Sequence, residues 1–481
     1  MQERFSRLRS ILRWRSRSDA TEMDRSRDRY RRAFASGATG VLAKAVSVLA
    51  SILTVRWTLH YLGVERYGMW ITITSTVMLL MFSDLGMGSG LIKVVADSTG
   101  REDPRSAQKA VASAFWILGA IAIVLSLAAL AVYPFVNTGR LFNVHSALAM
   151  RESGPTLLIF LMCYLLNLPL GVVFAVENGL QSAYICNLWS VLGSVASLGA
   201  LVLAIRMHEG LPWLVLALFG PPLVSTLLNG VGLFGVSHPE LRPSPAAFSR
   251  QAAAQLLRIG LMFFLVQLSI AVGMQTDNIV IAQIMGAGAV SAYSVPARLF
   301  NMVTALLVMI SGAVWPAYAD AVARSDSRWI RKSFARVMVF GGAVTLLAVA
   351  VLVIFGDRIL SLWVGPQIKA SLALLAVFAV QCILYAYLYP ISFLLNGLGK
   401  LRAQVVCGIA MAIVNLGLSI VFVYRYGIIG AALGTTLAML TVQVVPLTIV
   451  VRKALRELDD KSRAQDIANA PLQVERPNLV P

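Results

Sequence analysis

Val337-Met338-Val339-Phe340-Gly341-Gly342-Ala343-Val344-Thr345-Leu346-Leu347-Ala348-Val349-Ala350-Val351-Leu352-Val353-Ile354-Phe355-Gly356 is a run of twenty residues without a charged side chain. At 1.5 Å per residue, twenty helical residues reach about 30 Å, the thickness of a bilayer's hydrocarbon core. Arg331, Lys332 and Arg336 stand before the run, and Asp357 and Arg358 after it. An apolar stretch of spanning length with charges at its two ends reads as a transmembrane helix.

Working outward, the same pattern recurs along the chain. Spans are expected near 36–62, 67–92, 109–133, 155–178, 183–205, 211–236, 257–285, 288–318, 333–356, 370–395, 401–424 and 428–451. Composition agrees: 58% of the 481 residues are hydrophobic and 13% charged, against about 25% charged in a soluble domain. The mean hydropathy is +0.75. The first apolar run is too long for a signal peptide and carries Lys44 and Arg56, so it is expected to remain as the first helix.

The net charge of +18 is spread between the apolar runs and not gathered into one soluble basic domain, which argues against nucleic acid as a partner. The spread is instead a topology signal. With twelve spans, 31 of the 41 Lys and Arg fall on the side that holds both termini, and 7 on the other. The positive-inside rule makes the first side cytoplasmic. Residues 1–35 form a basic segment that either lies on anionic lipid or is a plain tail whose arginines set topology. Residues 452–481 are expected to be a cytoplasmic tail, solvated from about 455.

An internal repeat is visible. Leu62-Gly63-Val64 and Met285-Gly286-Ala287 end the first and seventh spans, and Ala96-Asp97 and Ala319-Asp320 end the second and eighth, both pairs 223 residues apart. Asn178-Gly179-Leu180 and Asn396-Gly397-Leu398 follow the fourth and tenth spans at an offset of 218. They are expected to be cytoplasmic turns with Asn and Gly in left-handed positions. The expected fold is therefore an all-α polytopic membrane protein of two six-helix parallel repeats, 36–236 and 257–451, joined by a linker at 237–256, around a central cavity.

Four ionisable residues lie inside spans, each at an insertion cost of about 2.5–3.5 kcal/mol: Lys44, Arg56, Asp277 and Arg298. Arg298 lies about 15 Å beyond the Gly286–Gly288 turn, near the bilayer midplane. Ser291, Ser294, Arg298 and Asn301 share one helical face, a polar stripe able to line water or substrate. Asp277 reaches a similar depth on the antiparallel seventh helix. Two readings stand open for it: an ion pair with Arg298 that only ties helices, or a coupling role. Lys44 and Arg56 either snorkel to the interfaces or join Arg298 in a cationic site for a phosphate or pyrophosphate.

Other chemistry lacks its residues. Gly397-Leu398-Gly399-Lys400-Leu401 lacks the spacing and hydroxyl of a phosphate-binding loop. The four histidines are scattered and the four cysteines, Cys163, Cys186, Cys382 and Cys407, have no metal-ligand spacing. No metal or cofactor is expected. The longest outer loop, about 134–154, holds one carboxylate, Glu152, a poor home for acid-base catalysis.

Tyr61-Leu62-Gly63-Val64-Glu65-Arg66-Tyr67-Gly68, then Asp84-Leu85-Gly86-Met87-Gly88, resembles bacterial oligosaccharide flippases of the multidrug/oligosaccharidyl-lipid/polysaccharide exporter superfamily. Asp277-Asn278-Ile279-Val280-Ile281, followed by Met285-Gly286 and Ala292-Tyr293, is similar to that family's seventh and eighth helices. The resemblance implies a non-enzymatic carrier in the bacterial inner membrane. It would flip a polyprenyl-diphosphate-linked oligosaccharide to the periplasmic leaflet for surface polysaccharide assembly, with a polysaccharide polymerase as a partner. On that reading Arg298, Arg56 and Lys44, with Ser294 and Asn301, would face the substrate, and Asp277 would set the charge of Arg298 or carry a proton. The alternatives are a cation-coupled multidrug exporter, a flippase of peptidoglycan precursor, and a membrane-embedded polymerase or transferase.

Overall fold

The computed structural model describes residues 22–323 and 326–468. The N-terminal residues 1–21 and the C-terminal residues 469–481, which belong to the two expected tails, lie outside them. Among the described residues all regular structure is helical: α1 Glu22–Met78, α2 Met87–Gly100, α3 Pro104–Val132, α4 Ala147–Gly179, α5 Ala183–Arg206, α6 Leu211–Gly232, α7 Arg250–Met285, α8 Ala287–Ala323, α9 Ser327–Val364, α10 Leu372–Gly397, α11 Leu401–Tyr426, α12 Ile428–Ala438 and α13 Val445–Ala468. Ten stretches of the described residues are long and apolar enough to cross a membrane. One of them, Ala38–Met78, is broken at Gly63 and so holds the first span and the start of the second. The 36-residue α7 supplies the seventh, and the twelve crossings expected from the sequence are accounted for.

The outward faces agree with a lipid solvent. Leu347 and Ile354 on α9 and Ile413 on α11 are 71%, 70% and 69% exposed, which water would penalise and acyl chains do not. The twelfth crossing runs α12, a π-helical segment Met439–Val444, then α13.

The repeat seen in sequence is present in the backbone. Gly63 (φ 75, ψ 175) and Gly286 (φ 89, ψ 165) adopt the same conformation, a region open essentially to glycine alone. Beyond them one turn repeats as well: Asp103 N–H donates to the Ser98 carbonyl at 3.0 Å and Asp326 N–H to the Ala321 carbonyl at 2.9 Å, again 223 residues apart. The second pair matches bond for bond. Leu180, Gln181 and Ser182 N–H donate to the carbonyls of Val176, Asn178 and Glu177, and Leu398, Gly399 and Lys400 repeat this to Leu394, Asn396 and Leu395. One detail differs from expectation: the left-handed residues are Gln181 (φ 58) and Gly399 (φ 69), while Asn178, Gly179, Asn396 and Gly397 remain helical. The turn closes two residues later because the last helical carbonyls capture the next three amides.

The second span is interrupted. Its helix passes into a 3₁₀ segment, Leu79–Asp84, then through left-handed Leu85 and Gly86 before α2 begins. The Asp84 carboxylate accepts the freed Gly86 N–H at 2.9 Å. Gly86 is required on a second count: a Cβ there would lie 2.1 Å from the Gly260 carbonyl of α7, and one on Gly68 would lie 1.7 Å from the Ala287 carbonyl of α8. A proline in α6 is compensated similarly. Pro222 cannot donate to Leu218, and the Ser197 hydroxyl of α5 donates to that carbonyl instead, at 2.9 Å.

Contacts divide the chain into two units, residues 1–295 with 360–369, and residues 296–359 with 370–481. The first has a core of Leu91 and Val95 from α2, Val111 and Leu118 from α3 and Val172 and Val176 from α4. At the end that holds the Gly63 turn it is fastened by Arg66, whose guanidinium grips the Glu152 carboxylate through two bonds of 2.7 Å, with Leu211 N–H donating to the same carboxylate at 3.2 Å. The one carboxylate of the outer loop is thus structural, and it sits inside α4, which starts at Ala147.

In the second unit Tyr318, Leu394, Met439 and Val451 pack together. The polar segment after 454, expected to be solvated, continues α13 as far as Ala468. Val451, Ala454, Leu455 and Leu458 fall on one helical face and pack into that core. Asp459 pairs with Arg331 and Glu457 with Lys400, so two of the charges that suggest a tail are partners of the bundle.

Gly63→Ala tests the shared turn. A Cβ at Gly63 meets nothing within 4 Å, so the cost is conformational, about 1–3 kcal/mol. The expected result is a lower unfolding temperature in detergent; an unchanged one contradicts the turn's role.

Candidate functional site

The residues expected to line a site fall in different settings. Lys44 and Arg56, on α1, are exposed. Arg56 Nη1 donates to the Leu362 carbonyl at 3.3 Å, one of the four α9 carbonyls left without an intrahelical partner. A cation there also complements the negative end of the helix. Trp363 Nε1 adds a bond to the Ile52 carbonyl at 2.9 Å.

On α8 the polar stripe is not uniform. Ser291 is buried and donates to the Val64 carbonyl at 2.6 Å, so it is a packing contact and not a lining group. Ser294 is buried, 6% exposed, and its hydroxyl has no hydrogen-bond partner among the described residues. Arg298 is half-buried and Asn301 exposed. The stripe therefore passes from buried to open along the helix, one side chain per turn.

Asp277 is 7% exposed on α7. Its Oδ2 accepts from the Tyr293 hydroxyl at 2.8 Å, a partner that the sequence reading passed over because the two residues lie across the α7–α8 turn. Beside it, Asn278 Nδ2 donates to Ser75 Oγ at 3.0 Å. Polar residues of the second, seventh and eighth spans thus meet within the first unit, and such groups inside a membrane demand partners.

The same unit contains a cavity of about 570 Å³ lined from α2, α3, α4, α5 and α6 and from the 3₁₀ segment, with Asp84, Tyr164, Asn167, Trp189, Ser190 and Asn229 among its walls. Behind Asn229 lies Glu177, 1% exposed, whose carboxylate accepts from Asn229 Nδ2 at 3.2 Å and from the Cys186 thiol. Asn187 Nδ2 donates to the Ser36 carbonyl and Thr39 Oγ1, both at 3.2 Å. The sequence reading missed this chamber. The signal that would find it is the polar face of α5, where Cys186, Ser190 and Ser194 recur every four residues.

Two residues after the Gly63 turn, the Glu65 carboxylate accepts the N–H groups of His145 and Ser146 at 2.6 and 3.0 Å, just ahead of α4. Burial raises its pKa, but these two backbone bonds together with the Ser146 side chain and His145 hold the carboxyl below the ordinary value of 4.5. A group depressed in the folded state stabilises above its unfolded pKa and loses that contribution as pH falls through the folded one.

Comparison with known proteins places this geometry. A family profile described as polysaccharide biosynthesis protein matches residues 36–322, more than half of the chain, and a MatE profile matches 263–421. A protein of Yersinia pseudotuberculosis named for O-antigen export is 21% identical over 408 residues, covering 82% of this chain and 89% of that protein. A protein of Haloferax volcanii named as flippase AglR is 23% identical over 399 residues, 81% of this chain and 77% of that protein. A solved multidrug resistance MATE family transporter of the MOP superfamily, in its inward-facing conformation, has a TM-score of 0.76 at 16% identity, over 89% of this chain and 99% of that one. That likeness is one of fold: an all-helical, multi-pass membrane transporter architecture.

Two results are expected. Tyr293→Phe removes a donor from the buried Asp277 and should cost about 1–3 kcal/mol, read as a lower unfolding temperature in nanodiscs; an unaltered temperature contradicts the bond. The stability gap between wild type and Glu65→Gln should be full at neutral pH and close as pH drops below about 4.5. A gap that widens in acid contradicts the assignment.

Proposed function

The chain belongs to the polysaccharide biosynthesis protein family, and from that premise we propose that it is a flippase, a transporter and not an enzyme. Its substrate is an oligosaccharide carried on a polyprenyl diphosphate, and it moves the sugar head by alternating access from the cytoplasmic to the periplasmic leaflet of a bacterial inner membrane, for surface polysaccharide assembly. The residues 36–236 and 257–451 act as its two transporting halves, with both termini cytoplasmic. The basic segment 1–35 rests on anionic lipid, and a polysaccharide polymerase takes the product.

The observation that carries the reading is Arg298, a half-buried guanidinium on a membrane-crossing helix, with Ser294 and Asn301 on the same face. A planar guanidinium matches two phosphate oxygens at once, and in a low-dielectric setting such a bond is far stronger than in water. Arg56 and Lys44 add positive charge along α1 and lower the barrier for a dianionic headgroup, and Asp277 holds the balance of charge or a coupling proton. A cation-coupled multidrug exporter is the second reading; the MatE match over 263–421 and the first unit's chamber, lined by Asp84 and by no Lys or Arg, favour it, while Arg298, Arg56 and Lys44 favour an anionic cargo.

Arg298→Ala, expressed at wild-type level in a strain lacking the gene, should lower surface polysaccharide at least tenfold and leave completed lipid-linked oligosaccharide in the cytoplasmic leaflet. Normal export removes Arg298 from the site. Normal polysaccharide in the deletion strain itself, with new sensitivity to cationic drugs, establishes the exporter instead.

A further inference from the structure

The chamber of the first unit has a chemistry opposite to the basic residues considered above. None of its lining residues is Lys or Arg; Asp84 is among them, and the Glu177 carboxylate is buried directly behind. With no cation in its lining, the chamber offers a diphosphate no charge partner, so the phosphates are better served elsewhere. A metal cation is poorly served too. Asp84 Oδ1 is already engaged by Gly86 N–H, and Glu177 Oε2 accepts from Asn229 and Cys186.

What remains is a set of neutral donors and acceptors. The Asn167 amide and the Ser190 and Ser194 hydroxyls form no hydrogen bond to described residues, and the Asn187 amide nitrogen is spent on Ser36 and Thr39, leaving its carbonyl oxygen as an acceptor. Placing such side chains in a membrane bundle costs free energy unless something pairs with them. Groups that both donate and accept are matched by groups that do the same, and sugar hydroxyls are of this kind. Trp189 contributes an aromatic surface, whose electron-rich face attracts the C–H bonds of a pyranose ring. A volume of about 570 Å³ falls within the about 300–1,000 Å³ of small-molecule sites and has room for a short glycan.

We propose that this chamber is a glycan subsite: it holds the sugar head of the cargo by hydroxyl and aromatic contacts, while the diphosphate is bound elsewhere. The assignment rests on the flippase reading and adds to it a division of labour, with neutral and acidic groups for the sugar and basic ones for the lipid-linked phosphates. Trp189 and Asn167 are then determinants of sugar preference.

The test uses the full chain in nanodiscs and two soluble probes. One is the free oligosaccharide released by mild acid from the lipid extract of the deletion strain; the other is inorganic pyrophosphate. The oligosaccharide alone should bind by calorimetry, at least tenfold more weakly to Trp189→Ala and to Asn167→Ala, with Trp189→Phe restoring most of the loss and thereby excluding misfolding as the cause. Pyrophosphate should not compete. Absence of binding to the wild type, full binding by both alanine variants, or competition by pyrophosphate overturns the subsite and leaves the flippase reading standing. A deletion strain that accumulates no lipid-linked oligosaccharide overturns both.

Discussion

The constraint on which this structure depends is that no backbone amide or carbonyl can go unpaired in hydrocarbon. It makes every crossing a helix and dictates how each helix is allowed to break. At Leu85–Gly86 the freed amide goes to Asp84; at Pro222 the freed carbonyl goes to Ser197 of the neighbouring helix. At α9 the terminal carbonyl of Leu362 receives Arg56. The polar side chains that look anomalous in an apolar sequence are largely the bookkeeping of interrupted helices.

That is why the fold was legible from the sequence and the site was not. A span is a local property of about twenty residues, and so are a Gly63 or a Gly286 that no other residue replaces without strain. The turns after α4 and α10 were located but misassigned by two residues, since Asn-Gly is a strong turn signal and the deciding interaction is the later capture of helix-end carbonyls. The helix from 455 to 468 was hidden by its charges, whose partners Arg331 and Lys400 lie far away in sequence. The chamber is the extreme case: its walls come from five helices and a 3₁₀ segment, and side chains such as Ser190 and Asn229 are individually ordinary.

Charge is arranged along the same logic. Carboxylates that are deep in the first unit, Asp84, Glu177 and Asp277, each accept a hydrogen bond from a neutral donor. Basic residues inside the expected spans are few, Lys44, Arg56 and Arg298, and the proposed function gives them the phosphates. A carrier of a lipid-linked sugar needs both properties, a place where hydroxyls replace water and a place where a diphosphate finds cations, while the lipid tail never leaves the hydrocarbon. Such a division lets one protein hold a bulky polar head without making the whole interior basic.

The central claim, transport of a diphosphate-linked glycan, is tested most directly by reconstitution. Proteoliposomes would carry lipid-linked oligosaccharide extracted from the deletion strain in the inner leaflet only, and the appearance of sugar on the outer face would be followed with a membrane-impermeant lectin. The account predicts time-dependent exposure with the wild-type protein that is absent from protein-free vesicles. Lectin binding no faster than in protein-free vesicles, with the protein folded and oriented, would contradict it.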